Sequence, residues 1–269
     1  MPAETRRARF AELHARDQLF VMPNPWDVGS ARILAAIGFE ALATTSAGLA
    51  WVLGKLDTQV TRGELVDHVA EIAPATDLPL NVDSERCYPD EPGGVAETVR
   101  LLGEAGAAGC SIEDWNPATG RIDDVGLAVE RVAEAAAAAR AFDPPLVLTG
   151  RAENHLHGVD DLDDTIARLV AYRDAGADCV YAPWLSTAEQ IAAVVDAVGV
   201  PVNVLALPGA PSVPELESLG VRRVSTGSLL ASAAYGALIA GARELHGDGT
   251  STYAGGGLTP DDRALAFSW

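Results

Sequence analysis

Cysteine and long apolar runs are what this sequence most obviously lacks. It has three cysteines in 269 residues, and so odd and sparse a set predicts a reducing compartment without a disulfide framework. No stretch approaches the roughly 20 apolar residues of a membrane span. The first 20 residues contain arginines and lack the apolar core of a signal peptide. We therefore expect a cytoplasmic protein that does not enter a membrane.

Positive charge and aromatic side chains are also scarce. The sequence has 19 Lys and Arg against 38 Asp and Glu, a formal net charge of −19. Nucleic acids and anionic membranes bind basic surfaces, so neither is an expected partner. A small anionic substrate is still compatible with this charge, because the field within a cleft matters more than the total. Only 6% of the residues are aromatic, so the core must be built from Ala, Val and Leu.

Short apolar runs alternate along the chain with longer segments rich in Ala, Leu, Glu and Arg, which is typical of βα units and a parallel sheet. Eight runs predict strands at 19–22, 41–45, 80–83, 109–112, 146–149, 179–182, 202–205 and 223–226. Eight helices are predicted at 28–37, 62–73, 95–105, 125–141, 162–175, 187–198, 213–219 and 228–245. Equal numbers of strands and helices favour a closed (β/α)₈ barrel of the TIM type, for which 269 residues is a common length.

The segments outside this repeat lie at the two ends of the chain. We predict one domain over residues 1–269, with an extra N-terminal helix in 1–18 and the barrel in 19–246. Residues 247–269 form the tail: its first part is rich in Gly, Ser and Thr and is predicted to be flexible, and a short helix follows. The aromatic Phe267 and Trp269 of that helix are expected to be buried, for example against a neighbouring subunit.

Acidic residues follow two neighbouring strands. Asp83 and Glu85 come at the end of one predicted strand, and Glu113 comes at the end of the next. The ends of parallel strands face one crevice, where converging carboxylates repel one another unless a cation lies among them. Oxygen ligands of this kind suit Mg²⁺ or Mn²⁺. The sequence predicts a divalent metal site at Asp83, Glu85 and Glu113, although Asp83 taken alone could equally be a helix cap.

Polar residues at other strand ends each have two interpretations, one structural and one functional. Arg151 either pairs with Glu153 or binds a substrate carboxylate bidentately. His155 is either a proton donor or an exposed loop residue, and Asp57 lies in a polar loop where solvation is as plausible as function. The remaining candidates are expected to bind substrate: Trp26, Asp27, Ser46, Ala47, Gly48 and Asn203. Among them, Ser46 to Gly48 would bind an anion through their free backbone N–H groups.

Taken in order, these residues carry a likeness to a known family. The chain resembles the isocitrate lyase/phosphoenolpyruvate mutase superfamily along nearly its whole length. The resemblance rests on the segments NPWDVGSARILAAIGFEALATTSAGLA, LGKLD, NVDSE, GCSIED, TGRAEN and AGADCVYAP. It implies an (α/β)₈ barrel and a Mg²⁺ ion with Asp83 as the nearest ligand. Glu85, Glu113 and Asp57 would then act on the metal directly or through water.

The resemblance also implies a substrate site and an assembly. Ser46, Ala47, Gly48 and Arg151 would hold a substrate carboxylate or oxyanion, and Asn203 would line the pocket. Relatives often exchange the last barrel helix between subunits and form dimers of dimers. A homo-oligomer, either a dimer or a dimer of dimers, is therefore expected here, and the aromatic tail is compatible with it.

One segment departs from the superfamily pattern. Isocitrate and methylisocitrate lyases carry a Lys-x-Cys-Gly-His loop shortly after the position of Glu113, and its cysteine acts as the catalytic acid. Residues 115–122 of this chain contain no Cys, Lys or His. The departure argues against those two lyase activities, and the segment has no clear match to the gating loop of the mutase either.

From these observations we predict a Mg²⁺-dependent lyase, decarboxylase or hydrolase. It would cleave a C–C bond of a small 2-oxo acid or related carboxylate through a metal-stabilised enolate. Arg151, Glu113 and His155 are the predicted catalytic residues, with water as a second candidate for the proton donor. Two alternatives stand beside this prediction: a P–C bond enzyme of the mutase or phosphonopyruvate hydrolase type, and a non-catalytic protein that binds Mg²⁺ and a carboxylate.

Overall fold

The fold is a nearly closed parallel barrel, seen in a computed structural model that describes residues 1–267. The strands are β1 Phe20–Met22, β2 Leu42–Ala43, β3 Leu80–Asp83, β4 Gly109–Glu113, β5 Trp115–Asn116, β6 Arg121–Ile122, β7 Val147–Arg151, β8 Cys179–Tyr181, β9 Val202–Leu205 and β10 Arg223–Ser225. Eight of them form one parallel sheet in the order β1-β10-β9-β8-β7-β4-β3-β2. The two end strands of this order, β1 and β2, meet at the seam of the barrel, where the Ala43 N–H donates to the carbonyl of Pro23, the residue after β1, at 3.0 Å. The predicted (β/α)₈ barrel is therefore confirmed.

Helices surround the sheet and follow its strands in alternation. They are α1 Ala3–Ala15, α2 Val28–Ile37, α3 Ser46–Val52, α4 Arg62–Ile72, α5 Gly94–Glu104, α6 Val125–Ala139, α7 Leu162–Asp174, α8 Ala188–Val198, α9 Val213–Ser218, α10 Leu229–Gly247 and α11 Pro260–Phe267. The main core lies between this layer and the sheet and is built of Ala, Val, Leu and Ile, as the scarcity of aromatics required. Within residues 1–267 we find no helix with both the length and the apolarity needed to cross a bilayer.

Three local features differ from the sequence predictions. Residues from Ser46 onward form α3 where a loop was expected, because Thr45 caps the helix by accepting from the Gly48 N–H. Strands β5 and β6 pair antiparallel as a hairpin that periodicity did not reveal. The Gly-rich segment after α10 is more ordered than its composition predicts, since Glu244 accepts hydrogen bonds from Thr250, Thr252 and Tyr253.

The C-terminal tail folds back onto its own chain. Helix α11 packs against α2, and the Phe267 side chain reaches a groove beside Trp26 and Leu230. Phe267 is 45% exposed in the single chain, so the groove covers only part of the ring. Its burial against a neighbouring subunit is still a prediction. Trp269 lies outside the described residues, and the exchange of a helix between subunits is still a prediction.

Helix α1 closes the amino-terminal end of the barrel. Its Phe10 and Leu13 pack with Phe20 and Met22 in a small core of their own. The ring of His14 is held between two polar groups: Nδ1 donates to the Phe10 carbonyl at 2.8 Å, so Nε2 accepts from Arg223 at 3.1 Å. Burial, aided by the Arg223 charge, lowers the pKa of His14 to about 3. His14 is therefore neutral in the folded protein at all moderate pH values.

We expect the His14 ring to make the protein sensitive to acid. Below pH 6.5 an unfolded chain protonates this histidine and the folded protein does not, so stability is lost as the pH falls toward 3. Between pH 7 and 5 this one group should account for about 2 kcal/mol of unfolding free energy. The variant His14→Gln keeps an acceptor for Arg223 and cannot titrate, so its unfolding free energy from urea titrations should fall about 2 kcal/mol less than that of the wild type.

The control for this measurement is His246→Gln at the exposed end of α10. It should keep the pH dependence of the wild type. An equal loss of stability for His14→Gln and the wild type between pH 7 and 5 would contradict the protonation argument.

Candidate active site

A polar cavity of about 60 Å³ lies inside the barrel at the carboxyl ends of the strands. Its polar and charged lining residues are Asn24, Thr44, Asn81, Asp83, Ser111, Arg151, Tyr181, Asn203, Arg223 and Ser225. Barrel interiors are usually filled by branched aliphatic side chains, and buried polar groups cost free energy unless they are paired. A polar interior of this kind is what a binding site for a small polar ligand requires.

Arg151 is the centre of charge at this cavity. It is the last residue of β7, and the register places it directly opposite Glu113 at the end of β4. Its Nη1 donates to Asp83 Oδ1 at 2.5 Å, its Nη2 lies 3.1 Å from Glu113 Oε2, and its Nε donates to Glu153 Oε1 at 3.0 Å. One guanidinium thus holds three carboxylates, so both sequence interpretations of Arg151 stay open: it pairs with Glu153, and it faces the cavity.

Asp83 is fixed from its other side by the neighbouring β2–α3 connection. Its Oδ2 accepts from the Ser46 N–H at 3.0 Å, and its own N–H donates to Thr44 Oγ1 at 2.9 Å. In the predicted anion cradle, two of the three N–H groups are therefore used within the protein, by Asp83 and by Thr45. Gly48 is needed there, because a Cβ atom would lie 2.5 Å from Thr45 Cγ2 and 3.0 Å from Trp26 Cβ.

The other predicted metal ligands lie close enough to repel one another. Desolvation of its carboxyl group raises the pKa of Asp57, although the residue as a whole is exposed, and the Asp83 charge raises the pKa further. Burial, then Asp83 and Asp57, raise the pKa of Glu85 to about 8. Burial also raises the pKa of Glu113 well above its ordinary value, against the opposing effect of Arg151. Fully ionised, these acids would carry more negative charge than Arg151 alone can balance, and their raised pKa values favour the protonated, neutral forms.

The donor set fits a hard divalent cation in its chemistry. Among the residues described, no three His, Cys, Asp or Glu side chains meet in ligand geometry. Glu85 adopts a left-handed backbone (φ 49°) and faces a groove beside Tyr88 rather than the cavity, and its buried Oε1 has no hydrogen-bond partner. Mg²⁺ keeps several water ligands and needs only one or two carboxylates. Asp83 and Glu113, with Asp57 and Glu85 at longer range, are the residues here that could hold it.

The structure separates some predicted residues from the cavity. Asp27 accepts from the Ser30 N–H at 2.6 Å as the cap of α2, and Trp26 lines the apolar groove that contains Phe267. His155 lies outside the cavity lining; its Nδ1 is 3.2 Å from Asp160 Oδ1. The common cause is local: each of these residues lies in the connection between a strand and the next α-helix, rather than in the strand itself.

Asn203 does line the cavity, but most of its hydrogen-bonding capacity is used. Its Oδ1 accepts from Arg223 Nε at 2.9 Å, and its Nδ2 donates to Ser225 Oγ at 2.9 Å. A guanidinium has only donors, so Arg223 fixes which way the amide points. One Nδ2 hydrogen is left for a ligand.

Sequence reasoning missed Tyr181, Arg223 and Asn24 in the cavity wall. Arg223 and Tyr181 lie within predicted buried strands. A charged or phenolic side chain in an otherwise apolar strand was the signal that could have indicated a polar barrel interior. Asn24 joins the seam of the barrel, since its Oδ1 accepts from the Thr226 and Gly227 N–H groups and its Nδ2 donates to the Thr44 carbonyl.

Asp114, next to Glu113, points away from the cavity and anchors the loop after β7. It is 1% exposed and accepts from Tyr172 Oη at 2.5 Å, from the Glu153 N–H at 2.9 Å and from Arg168 at 3.2 Å. Because Glu153 in turn holds Arg151, this network fixes the central guanidinium from behind.

The β5–β6 hairpin occupies the segment in which the lyase acid loop is missing. Its position is fixed by the buried Asp123, which pairs with Arg86 and Arg131 and accepts from Asn116. Trp115 stacks on His157, with the ring centroids 3.4 Å apart and the planes 5° from parallel. The hairpin is therefore joined by ion pairs and stacking to the walls around the site.

Comparison with known proteins agrees with this geometry. Residues 10–246 match the phosphoenolpyruvate phosphomutase family. A Burkholderia cenocepacia J2315 protein, provisionally assigned as a lyase/mutase, is 50% identical, with a TM-score of 0.94 over 99% of this chain and 98% of its own. An oxaloacetate decarboxylase of Paraburkholderia xenovorans is 36% identical over 77% of this chain and 70% of its own.

A structure of oxaloacetate acetylhydrolase in complex with the product oxalate is also similar. It is 26% identical, with a TM-score of 0.85 over 98% of this chain and 94% of its own. The predicted resemblance is thus confirmed: the chain belongs to the phosphoenolpyruvate phosphomutase family and is a lyase-like member of the isocitrate lyase/phosphoenolpyruvate mutase superfamily.

Proposed function

We propose that this protein is an enzyme that uses Mg²⁺ or Mn²⁺ to cleave a C–C bond of a small 2-oxo acid or related carboxylate. The observation that carries the proposal is the single guanidinium of Arg151, which joins Asp83 and Glu113 at the edge of a small polar cavity. A relative that is an oxaloacetate decarboxylase and a solved structure with bound oxalate support a substrate of this size and charge.

The size of the cavity limits the substrate. A cavity of about 60 Å³ has room for roughly four water molecules, which a small acid of a few heavy atoms could replace. A large acid would have to extend out of the barrel mouth. We therefore expect two- to four-carbon 2-oxo acids to fit better than tricarboxylates.

Arg151 and the metal would have different roles at the site. When bound, Mg²⁺ would supply positive charge to the carboxylate and carbonyl oxygens of the substrate and stabilise the enolate. Arg151 would turn part of its hydrogen-bonding fork from Asp83 to the substrate carboxylate, since guanidinium and carboxylate match bidentately. Asn203 would orient the substrate through its remaining N–H, and the closed barrel floor would exclude water from the enolate.

The hairpin in place of the acid loop favours decarboxylation or hydrolysis over isocitrate cleavage. Trp115 to Ile122 provides no thiol that could protonate a leaving carboxylate. In a decarboxylation the leaving group departs as CO₂ and needs no proton. The proton is required only at the enolate carbon, so another group in the cavity can supply it.

The match to the phosphomutase family keeps a P–C bond enzyme as the second candidate. A substrate panel separates the two: oxaloacetate and its 3-methyl derivative on one side, and phosphonopyruvate and phosphoenolpyruvate on the other, each with Mg²⁺, with Mn²⁺ and with excess chelator. We expect turnover of a carbon acid that chelator abolishes. Turnover of phosphonopyruvate alone would favour the second candidate instead, and metal-independent turnover would contradict the proposed chemistry.

Asp83→Asn should weaken metal binding and abolish activity. The amide cannot replace a charged oxygen ligand, so we expect the affinity for Mn²⁺, measured by titration calorimetry, to fall about 100-fold, together with loss of turnover. The control is Asp67→Asn on the exposed face of α4, which should leave both unchanged. Wild-type metal affinity and activity in Asp83→Asn would show that Asp83 is not a ligand.

We also propose that the protein is a homo-oligomer built on α10. This helix of 19 residues buries only Ala231 and Gly241, while Leu238, Ile239 and Leu245 are 65%, 48% and 51% exposed. An apolar face of this length is typical of an interface between subunits. A second copy of the chain is the partner that the superfamily favours.

Charge placed on this face should dissociate the oligomer. We expect the double variant Leu238→Glu/Ile239→Glu to elute as a monomer when its mass is measured by light scattering, because two buried charges would destabilise an apolar interface. The control variant Leu127→Glu, on α6, should keep the mass of the wild type. The proposal fails if the wild type is itself a monomer at high concentration, or if the double variant assembles normally.

A further inference from the structure

The cavity contains few groups that can give up a proton. Its ionisable lining residues are Asp83, Arg151, Tyr181 and Arg223. Asp83 accepts hydrogen bonds from Arg151 and Ser46 and is the proposed metal ligand. A guanidinium does not lose its proton in a protein. No cysteine, histidine or glutamate of the described residues lines the cavity, and Glu113 at its edge contacts Arg151 and is itself a proposed metal ligand. The phenol of Tyr181 is the proton donor that is left.

Tyr181 is positioned directly beside the charged cluster. It is the last residue of β8, and the strand register places it opposite Arg151 on one side and Asn203 on the other. The Arg151 guanidinium carbon lies 5.4 Å from the centre of the Tyr181 ring, and the residue is only 9% exposed. The phenol is thus held by strands, within a wall that also contains Asp83.

The surroundings of Tyr181 suit an acid that starts protonated. Burial raises the pKa of Tyr181, so its hydroxyl keeps the proton at rest, while the charge of Arg151 acts in the opposite direction. The same cation stabilises the negative charge that forms on the phenol oxygen when the proton leaves. Ser225 and Asn203 lie in the same wall and complete a polar surface around the ring.

We propose that Tyr181 is the catalytic acid that protonates the enolate carbon, the role for which this chain has no acid-loop cysteine. The assignment rests on the proposed function. The C=C electron pair of the enolate takes the proton from Tyr181 Oη and forms the new C–H bond, while the carbonyl reforms and the O–H electron pair stays on the tyrosinate. After product release, solvent returns a proton to the tyrosinate. This is the one proton that decarboxylation consumes overall.

Proton exchange at the methyl group of pyruvate isolates this step from C–C cleavage. With Mg²⁺ in D₂O at alkaline pH, the wild type should exchange the methyl protons, followed by proton NMR, because the tyrosinate formed there takes a methyl proton, exchanges it with solvent and returns a deuteron to the enolate. Tyr181→Phe should lose this exchange by at least about 100-fold, the usual contribution of a positioned acid. Its affinity for oxalate with Mg²⁺, measured by calorimetry, should change less than threefold, because the ring that packs against Arg151 is kept.

The control is Tyr235→Phe on α10, whose ring contacts Trp51 and lies outside the cavity; it should exchange pyruvate as the wild type does. Full exchange by Tyr181→Phe would overturn the assignment and leave the proposed function intact. Loss of oxalate binding along with exchange would also overturn it, since Tyr181 would then act in binding. Absence of both exchange and turnover of the carbon-acid panel in the wild type would overturn the proposed function itself, and this assignment with it.

Discussion

The site depends on one buried guanidinium. Three carboxylates on three neighbouring barrel segments, Asp83, Glu113 and Glu153, all contact Arg151. Removing a charge from water costs several kcal/mol per ion unless close partners offset it, so these acids can be buried together only because the cation lies among them. The register that places Glu113 beside Arg151 is therefore a requirement of both the fold and the site.

The charge balance around Arg151 also explains why the site suits a divalent cation. One positive charge is shared by more than one carboxylate. Desolvation, and then the charges of neighbouring acids, raises the pKa values of Asp57 and Glu85, so both resist adding further negative charge. A dication would release this repulsion and free part of the Arg151 fork for a substrate carboxylate. Metal binding and substrate binding would then be coupled through the same guanidinium. The buried Asp114 network, which holds Glu153, keeps that guanidinium in place while its partners change.

Much of this arrangement could be predicted from the sequence, because it follows from periodicity. Eight apolar runs with eight helical segments fixed the barrel, and parallel strands necessarily bring Asp83 and Glu113 to the same end. Side-chain direction could not be predicted in the same way. Asp27 and Asp83 are both acids after a strand, yet one caps a helix and the other enters the cavity. Glu85 has a left-handed backbone and lines a neighbouring groove, and its residue type does not predict that conformation. Tyr181 and Arg223 escaped notice because apolar strands were assumed to contribute only core.

A crystal structure with Mn²⁺ and oxalate, with the ion located by its anomalous signal, tests the central claim most directly. We predict one Mn²⁺ at the cavity mouth within coordination distance of an Asp83 oxygen, and oxalate held between the ion and Arg151. An ion found elsewhere, or oxalate bound while Arg151 still spans Asp83 and Glu113 without touching it, would contradict the account.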